Sequence, residues 1–169
     1  MEPVRRDLPD DAGPLHARRE RVTARTQLLD REVGKALSAL SAAAKKGLGD
    51  PVLAELVMIR ASQLNHCAFC LDMHLALARK NGEGEERLGL LAAWEEAADL
   101  YDGRERAALA LTEAMTVLTE GFVPDEVYEE AAVHFDDGEL AHLIGLITVI
   151  NSWNRLMVSR RVPPGGYTP

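Results

Sequence analysis

Cysteine is scarce in this sequence, which makes its placement informative. The chain of 169 residues has only 2 cysteines, Cys67 and Cys70, and both lie in the stretch NHCAFCLDMH. The N-terminal stretch MEPVRRDLPDDAGPLHARRE has no apolar core segment, so we expect no secretory signal and a cytoplasmic location. Structural disulfides are rare in such a reducing compartment. A close cysteine pair there indicates catalysis or metal binding instead.

Basic residues and long apolar runs are also lacking. The chain has 19 Lys and Arg against 27 Asp and Glu, for a formal net charge of -8. Such a chain repels phosphate backbones and anionic membrane surfaces, so we expect neither nucleic acid nor membrane as a partner. No apolar run approaches the roughly 20 residues that a membrane-spanning helix needs. The length and the hydrophobic fraction of 47% are those of one globular domain.

The sequence also lacks the alternation of apolar and polar residues that is typical of strands, and it has no tandem repeat. Apolar residues recur with helical spacing instead, and Pro and Gly stand between the segments. We therefore predict an all-α bundle of about seven helices at residues 21–161, between a loose arm at 1–20 and a polar tail at 162–169. The predicted helices cover 26–47, 51–65, 65–81, 85–98, 103–120, a segment opened by 123–126, and a last helix from 136 or 137 to 161. The predicted starts include Asp50 as an N-cap with Pro51 at the first helical position, Asp102 as a cap, and Asp136 or Asp137.

The cysteine pair has the arrangement of a reactive dithiol. On a helix that begins near Asn65, the side chains of Cys67, Cys70 and His74 lie on one face within an arc of about 60°. With Asn65 as the cap, we expect Cys67 within the first turn, where unpaired amides and the positive end of the helix dipole favour a thiolate. The imidazole can exchange a proton with a sulfur, and the spacing allows a small disulfide. One sulfur can thus attack a substrate while the other resolves the product.

Two other interpretations remain open at this point. Cysteine is often simply a small buried hydrophobe, and either sulfur could serve only to pack. A structural zinc site needs four ligands, which Cys67, Cys70, His74 and a carboxylate could just supply. His66 points about 100° away from Cys67 on an ideal helix, so we expect a surface position or at most a supporting proton role for it.

Two asparagines stand on the otherwise apolar last helix. Asn151 and Asn154 need hydrogen-bond partners if that helix is buried. We expect a structural role for them, with a position near the thiols as the alternative.

The longer run PVLAELVMIRASQLNHCAFCLDMHLALARK resembles the core of the carboxymuconolactone decarboxylase and alkylhydroperoxidase AhpD-like superfamily. That family's signature is Glu, eleven residues, Cys-x-x-Cys, three residues, His. Glu55, Cys67, Cys70 and His74 occupy its four positions in order. Later segments such as RERAALALTEAMT and INSWNRLMV also look like helices of the AhpD-like branch, so the likeness covers roughly residues 35–160.

This resemblance implies an all-helical fold, homo-oligomers that are usually trimers or hexamers, and thiol peroxidase chemistry. It implies that Cys70 attacks a hydroperoxide and that Cys67 donates a proton and then resolves the product as a disulfide. His74 and Glu55 would form the relay that deprotonates Cys70. The partners would be a small hydroperoxide and a dithiol reductant or carrier protein, and we expect neither a cofactor nor a resident metal.

The sequence departs from the family pattern at one position. The best-characterised AhpD proteins carry a histidine directly before the second cysteine, where this chain has Phe69. Phe69, Leu71 and Met73 form an apolar surround that favours organic hydroperoxides. The alternatives are a dithiol oxidoreductase without peroxidase activity, an oligomer that binds metal or senses oxidant, and a lactone decarboxylase, which needs no cysteine pair.

Overall fold

Seven α-helices and no strands make up the part of the chain that the computed structural model describes, which is residues 25–119, 121–165 and 167. The prediction of an all-α bundle of about seven helices is confirmed. The predicted arm at 1–20 and part of the predicted tail lie outside the described residues, so those boundaries stay predictions. The helices are α1 Arg31–Leu48, α2 Pro51–Leu64, α3 Ala68–Lys80, α4 Glu85–Leu90, α5 Gly103–Thr116, α6 Asp125–His134 and α7 Asp137–Arg160.

Aspartate side chains fix the starts of the principal helices. Asp50 caps α2 by accepting hydrogen bonds from two backbone amides, and Pro51 follows at the first helical position, as predicted. Asp102 and Asp136 each form a complete capping box with the glutamate three residues later. These caps depend on neighbouring residues only, which is why the sequence predicted them.

Two predicted boundaries are wrong by several residues. Helix α1 begins at Arg31 and not near 26, because the Asp30 side chain caps it there, and it ends at Gly49 in the left-handed conformation. Helix α3 begins at Ala68 and not near Asn65. Asn65 instead ends α2, where its side chain donates to the Ala61 carbonyl.

The predicted fourth helix, 85–98, is also wrong beyond Leu90. The chain forms short 3-10 turns at Leu91–Ala93 and Ala98–Leu100 and folds back on α4. The Arg87 guanidinium donates to the Leu100 carbonyl and to Glu105, and the Tyr101 hydroxyl donates to the Arg87 carbonyl. These contacts between distant residues end the helix early. The predicted fifth helix, 103–120, is wrong beyond Thr116, because the chain leaves the helix at Val117 and residues 117–119 are not helical.

Helix α2 lies at the centre of the domain. It contributes to two apolar clusters, one shared with α1, α5, α6 and α7 and the other with α3, α4, α5 and the turns after α4. Its side chains Leu56, Val57 and Ile59 have no measurable exposure. A polar group on such a helix is costly unless it has partners.

None of the helices in the described residues is long and apolar enough to cross a membrane.

Helices α1 and α7 approach each other closely where the His142 ring lies against Gly47. A Cβ atom added at Gly47 would lie 1.8 Å from the His142 Cδ2 atom. At Gly145, which faces Ala44 across the same pair of helices, an added Cβ would make an ordinary contact of 3.8 Å. Any larger residue at position 47 would therefore displace the His142 ring.

We predict that Gly47→Ala lowers the free energy of unfolding by about 1–3 kcal/mol, because the His142 ring must move out of the interface. Chemical denaturation measures this change. The control is Gly145→Ala, which should be neutral or stabilising by about 0.5–1 kcal/mol through its helix propensity. In a His142→Ala background, Gly47→Ala should also stabilise. Equal effects in both backgrounds would contradict the proposed contact.

Candidate dithiol site

A tight turn between α2 and α3 positions the cysteine pair. His66 takes a left-handed conformation with φ of 53°, and the Cys67 backbone amide then donates to the Ser62 carbonyl over 3.0 Å. Cys67 is the N-cap of α3, and the Cys70 amide donates to its sulfur over 3.3 Å. The prediction that Cys67 lies within the first turn is therefore wrong: Cys67 precedes that turn as its cap, and Cys70 lies within it. The amide directed at the Cys67 sulfur favours a negative charge there.

The two cysteine sulfurs lie within disulfide-bonding distance of each other. Their Cα atoms are 5.3 Å apart, which suits a disulfide without movement of the backbone. Both residues are only 1% exposed. Cys70 nevertheless lines a pocket of about 450 Å³, and Cys67 is not among the residues that line it. Of the two cysteines, Cys70 is therefore the one that borders the pocket.

Apolar side chains from four helices form most of the pocket wall. Phe69 and Met73 lie on α3 beside Cys70, as the sequence predicted. Leu71 does not line the pocket, and the expectation for it is wrong, since it packs against the second apolar cluster. The remaining lining residues are Ser38, Ser41, Ala42 and Lys45 of α1, Met58 of α2, His74 and Leu77 of α3, and Trp153 and Met157 of α7.

The structure brings His74 and Glu55 together in the interior. His74 follows Cys70 by four residues on α3, which places the two side chains on one helix face. The His74 Nδ1 atom donates to Glu55 Oε2 over 2.7 Å, and both side chains are almost fully buried. A carboxylate can only accept, so Nδ1 carries the hydrogen and Nε2 is left as the basic atom of the neutral ring. The arrangement is that of a base oriented by an acid.

A third residue, Lys45 of α1, completes this cluster. The Lys45 ammonium forms an ion pair with Glu55 Oε1, so each carboxylate oxygen has one partner. Burial by itself raises the pKa of Glu55. The hydrogen bond and charge of His74, together with Lys45, outweigh this effect and hold the pKa below its ordinary value. Glu55 is therefore a buried carboxylate that stays ionised.

Sequence reasoning missed Lys45. The residue lies in the last turn of α1, where a lysine is usually a solvated group that favours the helix dipole. The only available signal was indirect, because a glutamate on a helix that is apolar all round needs a cation from a neighbouring helix. His66 is exposed and is not among the residues lining the pocket.

The two asparagines of α7 belong to a buried network behind the turn. The Asn65 amide donates to the side-chain oxygens of Asn151 and Asn154, over 2.9 and 3.0 Å. Asn154 in turn donates to Ser62 Oγ, and Asn151 donates to Thr116 Oγ1. These bonds tie the end of α2 to α7 directly before Cys67. Their position agrees with the expected structural role, since neither asparagine lines the pocket of Cys70.

The zinc interpretation finds no support in the described part of the chain. Among residues 25–119, 121–165 and 167, no group of three or more His, Cys, Asp and Glu side chains is placed to hold a metal ion. Glu55 is instead engaged by His74 and Lys45.

Comparisons with known proteins agree on the family. A model of the carboxymuconolactone decarboxylase family matches residues 31–114. The uncharacterized protein YdfG of Bacillus subtilis (strain 168) is 47% identical over 105 residues, which cover 62% of this chain and 71% of that protein. The uncharacterized protein YnjA of Escherichia coli (strain K12) is 33% identical over 118 residues, which cover 69% of this chain and 63% of YnjA.

Two solved structures share the fold. One is a protein of unknown function from Agrobacterium tumefaciens, described as a candidate antioxidant defence protein AhpD. It is 33% identical with a TM-score of 0.76, over 82% of this chain and 94% of that chain. The other is an uncharacterized peroxidase-related protein from Silicibacter sp. TM1040, which is 21% identical with a TM-score of 0.67, over 98% and 94% of the two chains. The second likeness concerns the fold alone.

We predict that Glu55 contributes stability that disappears in acid. Because its pKa in the folded protein is lowered, this contribution is complete above the unfolded value of about 4.5 and is lost as the pH falls through the folded value. Glu55→Gln should therefore be less stable than the wild type at neutral pH, and the difference should shrink as the pH falls below the unfolded value of about 4.5. Denaturation midpoints across the acid range measure it. Glu86→Gln, at an exposed position on α4, should leave the wild-type pH dependence unchanged.

Proposed function

Because the chain belongs to the carboxymuconolactone decarboxylase family, we propose that it is a thiol-dependent peroxidase that reduces organic hydroperoxides through its Cys67–Cys70 dithiol. One observation carries the proposal. Cys70 lines an apolar pocket beside an oriented histidine, and a second sulfur lies within bonding distance behind it. This arrangement supplies a nucleophile, a base and a resolving thiol.

The first step is attack on the peroxide. His74 Nε2 takes the proton of the Cys70 thiol, and the Glu55 carboxylate stabilises the resulting imidazolium. The Cys70 thiolate attacks the terminal oxygen of the hydroperoxide, so that an S–O bond forms and the O–O bond breaks. The alkoxide leaves with the proton of Cys67. The products are an alcohol and a sulfenic acid on Cys70, and Cys67 is left as a thiolate.

The second step closes the disulfide. The Cys67 thiolate attacks the sulfur of the Cys70 sulfenic acid, and the departing hydroxide takes the proton held on His74 to give water. The Cys70 amide that points at the Cys67 sulfur stabilises the thiolate before it attacks. Because Cys67 lies so close, the sulfenic acid is trapped before further oxidation.

An external dithiol completes the cycle. A small dithiol or a carrier protein with two thiols transfers two electrons to the disulfide, becomes a disulfide itself and restores both cysteines. The stabilised Cys67 thiolate is a good leaving group in this exchange. A carrier must reach a sulfur, and we propose that it does so through the pocket that Cys70 lines.

The pocket wall supports an organic substrate. Phe69, Met73, Trp153 and Met157 present apolar surface next to Cys70. Contact with such a wall favours a hydroperoxide with a hydrocarbon body over hydrogen peroxide, which has no apolar group to bury.

We also propose that the protein acts as a homo-oligomer. Val33 and Leu40 on α1 and Leu28 before it are exposed in the single chain, with 48%, 42% and 77% of their surface accessible. Apolar groups left open along one amphipathic helix support association of identical subunits. The family resemblance favours a trimer or a hexamer.

We predict that Cys70→Ser abolishes peroxide consumption, because the attacking sulfur is gone. Cys67→Ser should reduce one hydroperoxide per chain and then stop, since its sulfenic acid has no resolving thiol. The measurement is consumption of cumene hydroperoxide, with dithiothreitol as reductant for the wild type and Cys70→Ser. For Cys67→Ser it is a single turnover of the reduced protein without added thiol, beside a chemical trap for sulfenic acid, because dithiothreitol would itself reduce the sulfenic acid. Wild-type rates in both variants would exclude the peroxidase. A wild type that exchanges disulfides but leaves the peroxide intact would identify a plain dithiol oxidoreductase.

We predict that the pocket wall sets the substrate preference. Met157→Ala should raise the KM for cumene hydroperoxide roughly three- to tenfold, because it removes apolar contact worth on the order of 1 kcal/mol. The kcat/KM for hydrogen peroxide should stay unchanged. Leu156→Ala is the matched control, since this neighbour on α7 is also half-buried but does not line the pocket. Equal effects on both peroxides would show that the wall does not contact the substrate.

A further inference from the structure

Lys45 has a position that the cysteine–histidine–glutamate motif does not account for. It comes from α1, whereas Glu55 lies on α2 and His74 on α3. Its ammonium engages one oxygen of the Glu55 carboxylate while His74 engages the other. The carboxylate is therefore fixed between two helices, and rotation of its plane would break both contacts.

Lys45 also connects this carboxylate with two openings. It lines the pocket that contains Cys70 and His74, and it lines a second pocket of about 450 Å³ together with Lys46, Pro51, Glu55 and Asn81. The Lys45 side chain is 33% exposed, whereas that of Glu55 is 3% exposed. Lys45 is thus a partly solvated cation in contact with a buried anion.

The charges on Cys70, His74, Glu55 and Lys45 explain the role of the Lys45 ammonium. When Cys70 is a thiol and His74 is neutral, the Glu55 charge would stand alone in the interior without Lys45. When the proton has moved to His74, the site holds two anions, Cys70 and Glu55, and needs two cations. Lys45 supplies the charge that keeps the site neutral in both states, which lowers the cost of burying it.

We propose that Lys45 is a positioning residue of the relay, which holds the Glu55 carboxylate toward His74 and keeps the dithiol site neutral when Cys70 ionises. The inference rests on the proposed function in that Cys70 is the reacting sulfur and His74 receives its proton. It assigns a role in the chemistry to a residue outside the cysteine–histidine–glutamate motif.

The inference has a definite consequence for pH dependence. Among the described residues, the charged or titratable groups in contact with Glu55 are Lys45 from α1 and His74 from α3. Lys46 lines the second pocket with Glu55 but forms no ion pair with it. If Lys45 loses its charge, Cys70 must ionise in a site with one positive charge fewer. Its apparent pKa then rises, because a nearby cation favours the thiolate.

The test is alkylation of Cys70 by iodoacetamide, measured against pH in a Cys67→Ser background that leaves one thiol. Lys45→Met should raise the apparent pKa of alkylation by about one unit and slow the reaction about tenfold at pH values below it. Lys45→Arg should restore the wild-type profile, because the guanidinium keeps the charge and the reach. Lys46→Met is the matched control and should leave the profile unchanged.

Each outcome either supports or contradicts the role of Lys45 in the relay. If Lys45→Met and Lys46→Met give the same profile as the parent, Lys45 has no part in the relay. If Lys45→Met fails to fold, Lys45→Gln gives the same readout, since it keeps a donor without the charge. Alkylation needs no hydroperoxide. A Lys45-dependent profile in a protein without peroxidase activity therefore overturns the proposed function and not this inference, and an active peroxidase with a Lys45-independent profile does the reverse.

Discussion

The buried carboxylate of Glu55 is the constraint on which the rest of the site depends. Helix α2 is covered by apolar packing on all sides, so an uncompensated charge there would oppose folding. Compensation comes from Lys45 on α1 and His74 on α3, which fixes both neighbouring helices against α2. The same contact orients the imidazole, and the imidazole shares a helix face with Cys70. The ion pair and the hydrogen bond of Glu55 that hold the three helices together therefore also orient His74, the proposed base.

A second polar cluster positions the two cysteine sulfurs. The Asn65 side chain is bound by two asparagines of α7, and the backbone carbonyl of Ser62 accepts the amide of Cys67. These bonds hold the chain through the left-handed residue His66 and place Cys67 as a cap rather than as a helical residue. Apolar packing alone could not specify this turn, because it does not depend on direction as hydrogen bonds do.

Whether the sequence predicts a feature depends on how far apart along the chain the interacting residues lie. The caps at Asp50, Asp102 and Asp136 and the shared face of Cys70 and His74 depend on residues a few positions apart, and the sequence showed them. The early end of α4 depends on Arg87 reaching Leu100 and Glu105, and the start of α3 depends on asparagines of α7. Glu55 entered through family resemblance alone. Lys45 joins it across two helices, which no local pattern indicates.

Phe69 connects the relay with the choice of substrate. In the best-characterised AhpD proteins that the sequence resembles, a histidine stands at this position, and here a half-buried phenylalanine lines the pocket instead. The exchange removes a group that carries protons and adds apolar surface beside Cys70. Under the proposed mechanism, proton transfer then depends on His74 alone among the imidazoles of the wall, and His74 depends on a carboxylate with two partners. Lys45 therefore matters more in this site than it would in a site with a second histidine. Once His74 has taken the proton of Cys70, the described pocket wall holds no further imidazole that could balance the charge of Glu55.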